Sequence, residues 1–267
     1  MVRVSVSELT TFAACRKKHS WRYEKKLEKA GEPDTKLVAG TAVHLAVQRA
    51  VAARDGRTIG EHLIDALQGL VDEGRVTAGA ATKTYPLALK FAQKFPEAYL
   101  TSESLIAEYP IEWDTGLLVG DEAVWLWGIP DLVRLTDGGI ELLELKTTSN
   151  AYKHPLDFIL WNPQHRYYAL MLQEADPTLL ISVRYIVLGP KVPVEQEFLF
   201  TSRAAELTKR EVYGIMGEKL KSGVSYPNYG SQCAWCDFKE LCQAEIVGQS
   251  VESVVMQSYK EREVRNV

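Results

Sequence analysis

Two carboxylates and a lysine fall in neighbouring apolar stretches: Asp131 in Gly128-Ile129-Pro130-Asp131, and Glu144 and Lys146 in Glu144-Leu145-Lys146. Between them lies Thr136-Asp137-Gly138-Gly139, whose Asp-Gly pair signals a tight hairpin. If Asp137 and Gly138 form the loop, Thr136 pairs with Gly139, and counting outward sets Asp131 opposite Glu144. Strand alternation then puts Glu144 and Lys146 on one face. A bulge or a longer loop would shift this register. Facing carboxylates repel each other unless a cation sits between them, and hard oxygen ligands suit Mg²⁺ or Mn²⁺. Such an ion polarises a phosphodiester and lowers the pKa of a bound water. A lysine beside it orients that water or offsets charge on the phosphorane. An ordinary cross-strand salt bridge would use the same residue types. Against it, Ile129, Leu132, Leu142, Leu143 and Leu145 make the surroundings apolar, where buried charge tends to be functional.

A second set of residues is built for metal. The four cysteines are Cys15, alone near the N-terminus, and Cys233, Cys236 and Cys242 in Cys-Ala-Trp-Cys-Asp-Phe-Lys-Glu-Leu-Cys. A CxxC with a third cysteine six residues on has metal-ligand spacing, and Cys15 completes a tetrahedral set if the two ends of the chain meet. A disulfide framework does not suit a chain of this length without a secretory pattern. Zinc and an iron–sulfur cluster both accept four thiolates, so spacing alone does not choose between them.

The elements that must carry these groups read as mixed α and β. Ser7 caps a helix running through Cys15 toward Tyr23, and a second helix covers Thr41 to Ala53. A helical pattern extends from about Ile59 to Tyr99, broken at Gly74, Gly79 and Pro86. Strand-like stretches follow at Leu105–Trp113, Val124–Leu135 and Ile140–Thr147. Asn162-Pro163 opens a helix reaching about Glu174, by a capping side chain and a proline at the first helical position. Strands at Leu180–Leu188 and Val194–Phe200 precede a helix over Ser202–Leu220. The expected architecture is α/β in the α+β sense, a mixed central sheet flanked by helices. It forms one domain over 1–267, with a helical insert at 55–100 and a cysteine-rich segment at 225–245 closing onto Cys15.

With 267 residues and 46% hydrophobic content the chain can bury a full core. No apolar run approaches membrane-spanning length and the N-terminus lacks a signal-peptide pattern, so a soluble cytoplasmic protein is expected. The net charge of −4 excludes a generally basic nucleic-acid binder and requires any DNA site to be local.

Pro130-Asp131 followed by Glu144-x-Lys146 resembles the signature of the PD-(D/E)xK nuclease superfamily. Gly40-Thr41-Ala42-Val43-His44 looks like the helix that gives RecB-like members a metal-binding histidine, and Gln164-His165-Arg166-Tyr167-Tyr168 looks like their QxxxY motif. Ser7-Glu8-Leu9, with Phe12 and Cys15, resembles the N-terminal element of the iron–sulfur members. These include AddB-type subunits of helicase–nucleases and CRISPR-associated nucleases. The resemblance implies a restriction-endonuclease-like core with a [4Fe–4S] clasp on Cys15, Cys233, Cys236 and Cys242. It also implies Mg²⁺ or Mn²⁺ on His44, Asp131 and Glu144, Lys146 as a catalytic group, and Gln164 and Tyr168 positioning DNA. Arg16 and His19 depart from the proline and aromatic that those members often carry after the first cysteine. No GxxxxGK[ST] phosphate loop is present, so unwinding would come from a helicase or another partner.

Arg16, Lys17, Lys18 and Arg22, interleaved with Trp21, directly follow the first cysteine. A single strand of DNA can run along such a stretch, phosphates on cations and bases on rings; an exposed helix face with core aromatics has the same composition. The resulting expectation is a metal-dependent deoxyribonuclease, an exonuclease preferring single strands, in DNA repair, recombination, phage replication or CRISPR adaptation. The alternative is a non-catalytic iron–sulfur or zinc protein that binds DNA or acts as a scaffold on a nuclease-like fold.

Overall fold

The computed structural model describes residues 1–148, 162–189, 194–221, 223 and 225–262. Strand β1 (Val2–Ser5) runs directly into helix α1 (Val6–Ala14). The cap is Ser5 rather than the expected Ser7: its side chain accepts the Glu8 N–H at 3.0 Å. Nor does the helix continue to Tyr23. Cys15 is extended (φ −164°), and a short helix α2 (Arg16–His19) and a π-helical turn (Ser20–Glu24) follow it. After strand β2 (Leu27–Lys29) comes helix α3 (Thr35–Ala53). It starts earlier than the expected Thr41 because Asp34 caps it, accepting the Lys36 N–H at 2.7 Å.

Helices α4 (Ile59–Asp72) and α5 (Ala78–Ala92) pack against α3 and against each other, and the short α6 (Glu97–Leu100) follows. Their apolar side chains share one core with Leu105, Leu132, Leu143 and Leu145 of the sheet beneath.

Two expected strands each divide in two. The first becomes β3 (Leu105–Ala107) and β4 (Ile111–Val119), separated where Glu108 takes a positive φ of 52° ahead of Pro110. The second becomes β5 (Glu122–Gly128) and β6 (Leu132–Thr136), separated at Ile129-Pro130-Asp131. Proline has no N–H to give to a ladder, so the chain uses it to leave one sheet for another. Thus β1, β5 and β4 form a three-stranded sheet in that order. Strands β3, β6, β7 (Gly139–Thr147), β8 (Leu180–Leu188) and β9 (Val194–Phe200) form the five-stranded one.

In the larger sheet β7 and β8 are parallel and the other neighbours antiparallel. Helix α7 (Pro163–Ala175) lies between β7 and β8 in the chain. It starts at Asn162, whose side chain accepts the Gln164 N–H at 3.0 Å, with Pro163 at the first position. Helix α8 (Ser202–Lys221) packs on α7 and α1. Alternate residues of β7 divide between two cores, Leu143 and Leu145 toward α3, Leu142 toward α7. The mixed sheet flanked by helices is the expected architecture.

A 3₁₀ turn (Ser231–Trp235), helices α9 (Lys239–Ile246) and α10 (Val251–Ser258) and strand β10 (Tyr259–Glu261) complete the described chain. Strand β10 pairs antiparallel with β2, Tyr259 opposite Lys29. No helix among the described residues is long and apolar enough to cross a membrane.

Candidate active site

The hairpin register is the expected one: Thr136 pairs with Gly139, and the ladder ends at Leu132 opposite Leu143. Asp131 lies one residue beyond, in the bend rather than in a strand. Past Leu143, β7 has lost its neighbour on the β6 side. The Asp131 carboxylate takes over there, Oδ2 accepting the Leu145 N–H at 2.9 Å. Its other oxygen, Oδ1, lies 3.1 Å from His44 Nδ1 on α3. Gly40 lets that helix come close: a Cβ there would stand 2.8 Å from the Thr147 Oγ1 at the end of β7. One turn later the helix presents His44 to Asp131.

Burial alone would push Asp131 upward, but the charge and hydrogen bond of His44 and the Leu145 N–H hold its carboxyl below the ordinary value. His44 is correspondingly raised: burial, the largest single influence, pulls it down, but the charge and hydrogen bond of Asp131 and the charge of Glu144 together outweigh it. Glu144 goes the other way. Burial raises it, and the charge of Asp131 adds to this against the opposing pull of His165. Its Oε1 is buried without a hydrogen-bond partner. Lys146, two residues on along the same strand face, acts electrostatically on His44.

Gln164 and Tyr168 face this group from α7. Gln164 Nε2 donates to the Tyr168 hydroxyl at 3.0 Å. Burial, reinforced by the Glu144 charge, keeps that hydroxyl protonated well above the usual tyrosine range. The Tyr168 ring lies against Gly128, where an added Cβ would meet ring carbon Cε1 at 2.5 Å. Gly128→Ala is therefore expected to cost about 1–3 kcal/mol by overpacking. The double variant with Tyr168→Leu should recover most of that loss in urea unfolding. Equal stability of Gly128→Ala and wild type would contradict the contact.

No disulfide joins the four cysteines, which line one cavity of about 400 Å³ together with Lys18 and Phe238. Asn228 joins the two ends there, its N–H 3.4 Å from Cys15 Sγ and its Nδ2 3.1 Å from the Ala14 carbonyl. Burial raises the Cys236 and Cys242 thiols above the ordinary cysteine value. As the side chains stand, no three His, Cys, Asp or Glu among the described residues form a group that could hold an ion. Loading either place would need the donors to close in. The donor chemistry fits in both: an orphaned buried carboxylate oxygen for a hard cation, four thiols around one space for zinc or an iron–sulfur cluster.

The basic stretch requires correction. Trp21 is 2% exposed, packed with Phe238, Leu241 and Tyr259, with Lys17 and Lys25 over its ring, so no base can stack on it. Arg16 pairs with Glu218 and Lys17 with Glu245, which offsets their charge. Lys18 borders the cysteine cavity. Arg22 is half-buried on the π turn.

Two features escaped the sequence reading. One is a buried Glu141 held between Arg134 and Arg184 at 2.5 and 2.6 Å, with Arg184 continuing to Glu195 and Glu197. The other is His165. On a helix it falls within 100° of Gln164 and one turn from Tyr168, which is the signal that could have placed it beside them.

A family model described as the PD-(D/E)XK nuclease superfamily matches residues 3–243. Among solved structures, a protein named SSO0001 is 16% identical, covering 91% of this chain and 86% of its own at a TM-score of 0.46. A candidate exonuclease from Eubacterium rectale is 14% identical, with 87% and 86% covered and a TM-score of 0.49. No curated protein sequence matches the chain.

Proposed function

The chain belongs to the PD-(D/E)XK nuclease superfamily, and from that premise we propose a metal-dependent deoxyribonuclease that acts on DNA ends, as an exonuclease preferring single strands. The observation that carries this reading is the meeting of three elements at the β5–β6 switch. Asp131 is held between His44 of α3 and the Leu145 N–H of β7, beside a buried Glu144 whose Oε1 has no partner.

Asp131, Glu144 and His44 would hold Mg²⁺ or Mn²⁺, which when bound polarises the phosphodiester and acidifies a water. Lys146 orients the attacking water or offsets the charge that builds on phosphorus. Gln164 and Tyr168 position the DNA strand, the tyrosine hydroxyl accepting from the amide. The whole chain acts as one domain in this reading, with 55–100 as an insert buttressing α3 and 225–245 closing onto Cys15.

The cysteine cavity supports placement among the RecB-like and AddB-like iron–sulfur nucleases, with a [4Fe–4S] cluster on Cys15, Cys233, Cys236 and Cys242. The cluster's role is to fasten the two ends of the chain. Repair, recombination, phage replication and CRISPR adaptation are the settings in which such an enzyme, alone or beside a helicase, would work.

The test is degradation of end-labelled single-stranded DNA with Mn²⁺, Mg²⁺ or EDTA by anaerobically purified protein and by Lys146→Ala. Cleavage is expected with either metal, none with EDTA, and a loss of about 10²-fold or more in the variant. No cleavage by wild type carrying its full metal complement would overturn the catalytic reading.

A further inference from the structure

One buried group at the site has no role in the scheme above. His165 is 2% exposed and neither of its ring nitrogens has a hydrogen-bond partner. Buried polar atoms are paired in the great majority of cases, and an unpaired one costs about 1–3 kcal/mol. An imidazole kept in such a place invites a functional explanation.

Its surroundings give one. Nδ1 lies 3.5 Å from Glu144 Oε2, too far for a well-made hydrogen bond but within reach of a small rotation. The ring meets Tyr185 edge to face, centroids 4.9 Å apart at 60°. Tyr185 is the residue in register with Glu144 on the neighbouring parallel strand. The imidazole is thus wedged over the strand pair that carries the carboxylate, by the same turn of α7 that carries Gln164. Glu144 is unfinished as well: its Oε1 is the buried oxygen that lacks a partner. Donor and acceptor each stand one short step from completion.

Resting on the nuclease reading above, we propose that His165 is a positioning residue for Glu144. Its Nδ1–H would hold Oε2 by a small rotation, so that Glu144, whose Oε1 has no partner, is already oriented for a divalent cation. A metal-bound carboxylate with its second oxygen fixed has fewer orientations to lose on binding. Groups behind a ligand in this way commonly carry 10–100-fold in metal affinity or activity.

The experiment compares wild type, His165→Leu and His165→Asn, using Mn²⁺ as the probe in DNA-free protein and reading free Mn²⁺ by electron paramagnetic resonance. Leucine keeps the packing and removes the donor; asparagine restores an N–H near the Nδ1 position. His165→Leu is expected to bind Mn²⁺ about 10–100-fold more weakly and His165→Asn to recover most of that loss. With single-stranded DNA, the Mn²⁺ concentration giving half-maximal rate should follow the same order while KM for DNA stays unchanged. If the leucine variant does not fold, as judged by near-ultraviolet circular dichroism, His165→Gln takes its place, since its amide reaches the Nε2 position instead. Equal Mn²⁺ affinity in wild type and the donor-free variant would overturn the proposal and leave the nuclease reading standing. Asparagine behaving no better than leucine would do the same, assigning His165 to packing. Wild type that binds no Mn²⁺ would remove the metal site and this proposal with it.

Discussion

Glu144→Gln is expected to abolish metal-dependent cleavage, by about 10³-fold or more, and in the same protein to raise the melting temperature measured in EDTA. The two effects share one cause. Glu144 is 6% exposed and its carboxyl is raised by burial and by the neighbouring Asp131 charge. A carboxyl whose folded value lies above its unfolded value is disfavoured as an anion in the fold. It therefore costs stability above the unfolded value and costs nothing below it. Glutamine removes that cost, so its advantage should be present at pH 7.5 and fade as the pH falls toward the ordinary glutamate range near 4.5. For a chain of this size each kcal/mol relieved corresponds to about 2–4 °C. Bound Mn²⁺ should reverse the order, stabilising wild type above the variant. A lower melting temperature for Glu144→Gln in EDTA at pH 7.5 would contradict the burial cost; retained cleavage would remove Glu144 from the site.

Cys236→Ser should have the largest effect on the fold itself. Anaerobically purified wild type is expected to be brown, with thiolate-to-iron absorbance, and the variant colourless. The variant should also expose residues 225–261 to limited proteolysis and lose several kcal/mol of stability, in the range set by structural metal sites. The clasp adds to a closure that the β2–β10 ladder and the Lys17–Glu245 pair also hold. The four thiols share their cavity with Phe238, and the small cluster of Trp21, Phe238, Leu241 and Tyr259 lies alongside. Cys15→Ser should behave alike, since its thiol lines the same cavity from the other end of the sequence. Colourless wild type with one equivalent of zinc would keep the clasp and change its metal. Wild type free of both metals, with Cys236→Ser equally stable, would remove the clasp.

Much of this molecule was legible before its structure. Alternation and turn residues located β7, β8 and β9 within one residue, and Asn162-Pro163 located the start of α7. The Asp-Gly loop set the hairpin register because a two-residue turn leaves no slack. The division of Val124–Leu135 was harder. Apolar residues resume on both sides of Pro130-Asp131, and which sheet each half joins depends on partners far along the chain. Pro130 itself was the available warning. At α1 the sequence also held the answer: Ser5-Val6-Ser7-Glu8 places an acidic residue three after Ser5, the spacing of a capping box, and Ser5 is the cap. Trp21 was misjudged for a nonlocal reason. Its cationic neighbours are local, but the residues that bury it, Phe238, Leu241 and Tyr259, arrive from the last part of the chain. His165 was invisible as chemistry because its meaning comes from Glu144 and Tyr185 on two strands of a sheet.

The meeting of Cys15 with Cys233, Cys236 and Cys242, and of β2 with β10, also fixes an order of events during synthesis. A ribosome adding about 5–20 residues per second releases the first thiol on the order of tens of seconds before the other three. During that interval the strands and helices of the nuclease core can form, while Trp21 and Cys15 wait without their later neighbours. Closure of the ends is then a finishing step, reached only after residue 261 has left the exit tunnel. A chain stalled or cut short before Cys233 would carry His44, Asp131 and Glu144 on a body whose ends never meet.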